Sequence, residues 1–362
     1  MKKRKNREKT INKEEFFKLF DRYVKDSLRG KRVQKNGKRI KESTINAYLC
    51  TFKLLQEYCT IKNKEIKLYY VDRLNTRELK TAQISSNKFY KSFTDYMYNE
   101  LDYYDNYVGT VIKHLKSFLN YLNNELNLNI GNFHKFYYVY KEEIPIITLM
   151  PEQLNYLIYN NEFNQSINQT LRTVKDIFVF GCTVGLRVSD LMNLKPHNLR
   201  FQNGTYYINV KSSKTGVYTN IKLPEYAIEI VNKYSKIKGQ KTLLPKFSLD
   251  YFNKKLKELA GYITDNQPII KVREKRGVPC VIYKNKKNNE HFTMSDFISS
   301  HTMRRTAITN MLRLGMPEHI VRKISGHAPG SKEFYRYVEI SQSYIDYECD
   351  KVFKKMEEYK FH

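Results

Sequence analysis

The chain of 362 residues is long enough for two domains with separate cores, and its 41% hydrophobic content is ordinary for a water-soluble protein. No apolar run approaches the ~18 residues that a membrane span needs. The basic opening, MKKRKNREKTINKEE, has no apolar stretch behind it, which argues against a secretory signal.

Lys and Arg number 64 against 37 Asp and Glu, a net charge of +27. AT-rich coding would enrich Lys together with Asn, Ile and Tyr, but it does not create such an excess of bases over acids. A polyanion partner is therefore expected: nucleic acid, since the chain lacks the amphipathic anchor that an acidic membrane would require. Cys50, Cys59, Cys182, Cys280 and Cys349 are scattered singly, with no metal-ligand spacing. Reduced thiols in a cytoplasm, with no metal and no cofactor, are the expectation.

Residues 1–12 read as a basic, apolar-poor tail that only nucleic acid would order. A first helix is expected from Lys13 to about Leu28, with Phe16, Phe17, Phe20 and Tyr23 along one face. A charged loop, RGKRVQKNGKRIKE, follows. Ser43 is a good N-cap for a second helix carrying Ile45, Tyr48, Leu49, Phe52 and Leu55. A third pattern holds Phe89, Phe93, Tyr96 and Met97, and a fourth runs from Val108 to Leu122. Residues 13–127 thus form one all-helical domain whose aromatics are core. Periodicity fades over 128–148, punctuated by Gly131 and Pro145, and this stretch is expected to be an interdomain linker.

The second domain spans 149–362. Pro151 suits a helix first turn, and a longer helix over about 167–180 is expected to end on Gly181 as a left-handed C-cap. The segment CTVGLRVSDLMNL gives a tight turn and a short helix bearing Arg187, with Asp190 one turn on in a local pairing or capping role. The period then changes to two. NLRFQNGTYYINVKSSKTGVYTNIKLP reads as up to three antiparallel strands, with Asn203-Gly204 a tight turn and Lys214 at the next turn, in SSKTG. Helices resume over 225–262. PIIKVREKRGVPCVIYKNKKNNE looks like a hairpin with Arg273, Lys275 and Arg276 near a tip that is either DNA-reaching or an ordinary exposed turn. Residues 342–359 form a last amphipathic segment with Tyr344, Ile345, Val352, Phe353 and Met356. The fold class is mainly α with a small antiparallel sheet.

Ser299 to Val338 is the densest stretch. His301 and Arg304 lie three apart and share a helix face, His327 follows a helix-ending Gly, and a Tyr lies some ten residues on. Singly, each has an ordinary reading: surface charge, cap, soluble turn. His301 could be an N-terminal cap, His319 a surface residue, and Arg305 a structural or backbone contact. The ordered set Arg187, Lys214, His301, Arg304, His327, Tyr337 carries the argument.

That set, standing as TVGLRVSDL, SSKTG, SHTMRRT, SGHAPG and FYRYV, resembles the tyrosine recombinase (phage-integrase) family over most of the chain. It looks most like integrases of conjugative transposons and related mobile elements. The resemblance implies a helical core-binding domain followed by a mixed α/β catalytic domain. It also implies a site-specific integrase that cleaves and rejoins double-stranded DNA through a covalent 3′-phosphotyrosine. Tyr337 would be the nucleophile, with Tyr335 the alternative; the exit YV-EIS favours Tyr337. Arg187 and Arg304 would present guanidinium forks to the phosphate, Lys214 would protonate the leaving 5′ oxygen, His301 would handle the tyrosine proton, and His327 would hydrogen-bond the phosphate. A homo-tetramer on synapsed core sites is implied, as are accessory bending or directionality factors and a C-terminal segment that packs on a neighbouring protomer or completes its own core. A non-catalytic DNA-binding protein on the same scaffold, or a type IB topoisomerase, are the competing classes.

Overall fold

The computed structural model describes residues 8–34, 36–213, 215–235, 237, 239–264, 267–328, 330–339 and 341–358. Lys214, most of the expected tail (residues 1–7) and the side chain of Tyr344 lie outside the described residues. The described chain divides into two units: one holds residues up to Ile144 together with Val272–Ile282, the other Pro145–Lys271 and everything from Tyr283 on. It is mainly helical, with small antiparallel sheets.

In the first unit α1 (Lys13–Leu28) starts on Asn12, whose side chain accepts the Glu15 N–H at 3.0 Å. α2 (Glu42–Ile61) begins one residue before the expected cap. Lys41 caps it without a side-chain bond, and Ser43 sits inside the first turn. α3 (Thr76–Asp95) opens with a reciprocal Asn75/Glu78 capping box and continues as one π turn, Tyr96–Glu100. α4 is Asp105–Asn124. The aromatics expected in the core are there: Phe16, Phe20 and Phe118 are buried, with the Phe20 and Phe118 ring centres 4.4 Å apart. Much of the stretch read as linker is packed on this unit. His134 bonds Asn120 at 2.8 Å, Tyr137 bonds Ser86 at 2.8 Å, and Glu142 is buried.

The expected hairpin forms from Lys271–Lys275 and Val278–Ile282. Its basic tip, although exposed at Arg276 and Gly277, is tied down by carboxylates. The Arg273 guanidinium donates to Glu142 at 2.9 Å through Nε, Lys275 pairs with Asp102 at 2.5 Å, and Arg276 pairs with Asp95. The buried carboxylate of Asp105 accepts the Arg276 and Gly277 N–H groups at 2.7 and 2.8 Å and the Tyr98 hydroxyl at 2.6 Å.

The second unit carries α5 (Pro151–Tyr159), α6 (Asn161–Ser166), α7 (Gln169–Val184) and α8 (Val188–Leu191). A three-stranded antiparallel sheet follows, its strands Leu199–Gln202, Thr205–Lys211 and Tyr218–Lys222 in sequential order. Ile208, Thr219 and Ile221 point into the core, as the period of two requires. The helical stretch over 225–262 resolves into α9 (Glu225–Ser235) and α10 (Leu249–Ala260). α11 (Met294–Phe297), α12 (Ser300–Arg313), α13 (Glu318–Ser325), α14 (Lys332–Glu339) and α15 (Gln342–Glu358) complete it.

α7 runs one turn past the expected end, because the left-handed residue is Gly185 (φ 63°) and not Gly181. Gly181 lies inside the helix for a packing reason: a Cβ there would sit 2.3 Å from the Met303 sulfur. Its absence lets α7 and α12 approach closely, and that approach builds the site.

Candidate active site

The chain leaves α7 at Gly185 and turns so that Arg187 becomes the N-cap of α8; the Arg187 carbonyl accepts the Asp190 and Leu191 N–H groups, both at 2.9 Å. The Arg187 Nη1 donates to Ser212 Oγ at 2.9 Å. Ser212 begins the tight turn between the last two strands, closed by Gly216 N–H to the Ser212 carbonyl at 2.8 Å. Asp190 does not pair locally. Its buried carboxylate accepts both the N–H and the hydroxyl of Ser213, at 3.1 and 2.5 Å, across 23 residues of sequence. On the other side of the turn Thr215 Oγ1 donates to the Gly326 carbonyl at 3.4 Å. Three side chains thus pin the turn that contains Lys214. Sequence reasoning missed these tethers; the small hydroxyl residues flanking Lys214 in SSKTG were the available signal.

α12 opens on Ser299, whose N–H bonds Thr302 Oγ1 at 3.0 Å. His301 lies exposed in the first turn, and Arg304 one turn later is only 3% exposed. The Arg304 Nη1 donates to the Gly185 carbonyl at 2.9 Å, and its Nη2 lies 3.1 Å from His327 Nε2. His327 follows Gly326, whose φ of 63° ends α13 in the left-handed region. Ser325 Oγ stands 2.8 Å from His327 Nδ1. On α14 Tyr337 is 5% exposed, packed with Ile308, Leu312, Val321 and Phe334, its ring 6.0 Å from that of His327. Tyr335 is 45% exposed, lines an open pocket with His327 and Arg322, and has the Arg322 guanidinium 4.8 Å over its ring. His319 is exposed, as expected.

Arg187, His301, Arg304, His327 and Tyr337 therefore gather in one region, coupled through contacts or charge; Lys214 lies outside the described residues. Burial, then the charge of Arg187, pushes the Arg304 pKa down to about 10. Burial, followed by the charges of Arg304, Arg187, Arg322 and His301, holds the His327 pKa at about 3. The atoms around His301 desolvate it, and Arg305, Arg304 and Arg187 add to that, so its pKa is lowered too. Both imidazoles are neutral at pH 7. Burial raises the Tyr337 phenol, and Arg304 and Arg305 oppose it. Among the described residues Arg187 and Arg304 make no ion pair, and no group of three or more His, Cys, Asp or Glu could hold a metal ion.

A mainly helical chain with this arrangement has the fold of the tyrosine recombinase catalytic domains. The model of the phage integrase family matches residues 148–343, more than half of the chain, and the chain belongs to that family. Among solved structures it is similar to a lambda integrase dimer bound to a COC′ core site (TM-score 0.57, 13% identity, covering 88% of this chain and 94% of that one). It is also similar to the XerH site-specific recombinase in a pre-cleavage complex with its difH substrate (TM-score 0.52, 14% identity, 89% and 81% covered). A third is the Tn1549 transposon integrase in complex with transposon right end DNA (TM-score 0.52, 16% identity, 89% and 93% covered). At these identities the likeness is one of fold. No curated protein matches the chain.

Proposed function

We propose that this recombinase is a site-specific integrase of a mobile element that cuts and rejoins duplex DNA without a metal or a high-energy cofactor. The observation that carries the reading is the convergence of Arg187, Arg304 and His327 beside the buried Tyr337, with no carboxylate in a direct ion pair with either guanidinium among the described residues and Asp190 acting on Arg304 only through its charge. Such a cluster fits an anion, and a phosphodiester supplies one with two non-bridging oxygens for two forks.

In the proposed step the Tyr337 oxygen gives up its proton, with His301 as the acceptor at hand, and attacks phosphorus. The bond from phosphorus to the 5′ oxygen breaks, and Lys214 delivers a proton to that oxygen. The 3′ phosphate stays on the tyrosine as a phosphodiester, so a 5′ hydroxyl from another strand can reverse the step and release Tyr337. Arg187 and Arg304 stabilise the charge that builds on the non-bridging oxygens. The first unit would grip the flanking duplex. Val352, Phe353 and Met356 leave an exposed apolar face on α15, which suits docking on a neighbouring protomer of a tetramer. Accessory bending or directionality factors, and a cytoplasmic setting, complete the proposal.

The test is a nicked suicide duplex built on an imperfect inverted repeat sought in the DNA that flanks the gene. The wild-type chain is expected to leave a gel-stable covalent adduct that Tyr337→Phe abolishes with DNA binding retained. If Tyr335→Phe removes the adduct and Tyr337→Phe does not, the nucleophile has been misplaced. If wild type forms none, the enzyme reading is lost and a DNA-binding scaffold is left.

A further inference from the structure

The hydroxyl of Ser325 is buried on the last turn of α13, and the strand-cleavage reading above gives it no role. Its surroundings fix which atom carries the hydrogen between it and His327. Ser325 Oγ lies 2.7 Å from the Val321 carbonyl oxygen, which can only accept, so the single hydroxyl hydrogen goes there. His327 Nδ1, 2.8 Å from the same oxygen, must then be the donor and carry the ring proton. Arg304 Nη2 lies 3.1 Å from His327 Nε2 and 3.4 Å from Nδ1, so the guanidinium packs against the ring and does not itself choose between the tautomers. The burial and charges that hold this imidazole neutral agree with a single proton.

We infer that Ser325 is a positioning residue that locks His327 as the Nδ1–H tautomer and so fixes the ring on which the Arg304 guanidinium packs. This inference rests on the proposed cleavage reaction and refines the part His327 plays in it. Arg304 is held at two points, Gly185 carbonyl on Nη1 and His327 on Nη2, which fixes the plane of its fork. The ordered chain runs Arg304 to His327 to Ser325 to the backbone of α13, and no proton needs to move when the anion arrives. The signal in the sequence is the serine of SGH, directly before the helix-ending glycine.

The experiment has two independent readings on the full chain labelled with ¹⁵N-histidine. Long-range nitrogen–proton NMR at pH 7 reports the tautomer directly. Wild type and Ser325→Thr, which keeps the hydroxyl, are expected to show His327 protonated on Nδ1, whereas Ser325→Ala populates the Nε2–H form. On the suicide duplex, Ser325→Ala is expected to form the adduct roughly ten- to hundredfold more slowly at unchanged DNA affinity, with Ser325→Thr recovering most of the rate. An Nε2-protonated ring in wild type, or an alanine variant with an unaltered ring spectrum or an unaltered rate, overturns the inference. A wild-type chain that forms no adduct overturns the cleavage reading instead, and the ring spectrum still decides the tautomer.

Discussion

Two regions of this molecule bring basic side chains close to buried surface, and they treat the charge in opposite ways. In the first unit each hairpin cation meets a carboxylate: Arg273 with Glu142, Lys275 with Asp102, Arg276 with Asp95. The hydrogen bond that Arg273 donates to Glu142 raises the Arg273 pKa. In the second unit Arg304 is more deeply buried and has a backbone carbonyl and a neutral imidazole as partners, and its pKa falls. A buried charge left without its counter-ion is expensive, so a fold keeps one where a ligand will supply the counter-ion. Under the proposed function, the difference separates charge that builds structure from charge that awaits an anion. Strong basicity alone, spread over the whole chain, does not make that distinction.

The comparison breaks most visibly at Glu142. Its side chain is 2% exposed and accepts from Arg273 and from the Glu274 N–H at 2.8 Å. Glu142→Gln removes one partner of a buried pair and is expected to cost the first unit about 3–5 kcal/mol in urea unfolding. A loss below about 1 kcal/mol would mean that the hairpin is not anchored by charge. Arg304→Gln should behave in the reverse manner. Adduct formation on the suicide duplex falls roughly 10²- to 10³-fold, yet the second unit loses less than about 1 kcal/mol, because a desolvated cation repelled by Arg187 has been taken away. A variant that unfolds as readily as it loses activity would place Arg304 with the hairpin cations, as a structural charge.

These two residues also mark how far the sequence could be read. The six positions of the candidate set stood out because their order and spacing survive in linear sequence, and the period change at Pro196 located the sheet that carries the turn in SSKTG. The helical class, the aromatic cores and the Gly326 cap were legible for the same reason: each is a local pattern. The hairpin pairing was not. Nothing in REKRG reveals that carboxylates at positions 95, 102, 105 and 142 await it, because those contacts span more than 130 residues. Asp190 misled for a related cause, being read as a local cap when its partner is Ser213. Gly181 and Gly185 are four apart at the end of one apolar helix, and only the position of Met303 decides which must be the close-packed one and which the left-handed one.

A smaller effect sharpens the contrast without any mutation. Sulfate, standing in for a phosphodiester, should bind the uncompensated cluster and leave the compensated hairpin alone. At ten times its dissociation constant the gain is about 1.4 kcal/mol. Hydrogen exchange is expected to slow in α12 and α13 and to stay unchanged in α4 and the hairpin. Equal protection in both units, or none in α12, would remove the claim that the cluster is an open anion site.

The subtlest expectation is the pH dependence of that same gain. The His327 pKa lies at about 3 and the His301 pKa is also lowered, so the folded chain binds fewer protons there than the unfolded chain does. Their contribution to stability is complete above the ordinary histidine value near 6.5 and is lost as pH falls through the window below it. In the first unit His134, held at about 4 by burial and then by Lys116 and Lys135, imposes an acid limb of the same sign. Glu142, whose Arg273 and backbone hydrogen bonds outweigh the opposing effect of burial, adds a loss that begins only below the ordinary carboxylate value of 4.5. Acid alone therefore weakens both units. Sulfate tells them apart, because an anion beside His327 and His301 favours their protonated forms and raises their pKa values, while His134 meets no such ion. Between pH 6 and pH 4 the acid limb of α12 exchange should move to lower pH with added sulfate, and that of α4 should not. If the two limbs move together, the sulfate is acting on general ionic strength and the distinction between the two charge clusters is lost.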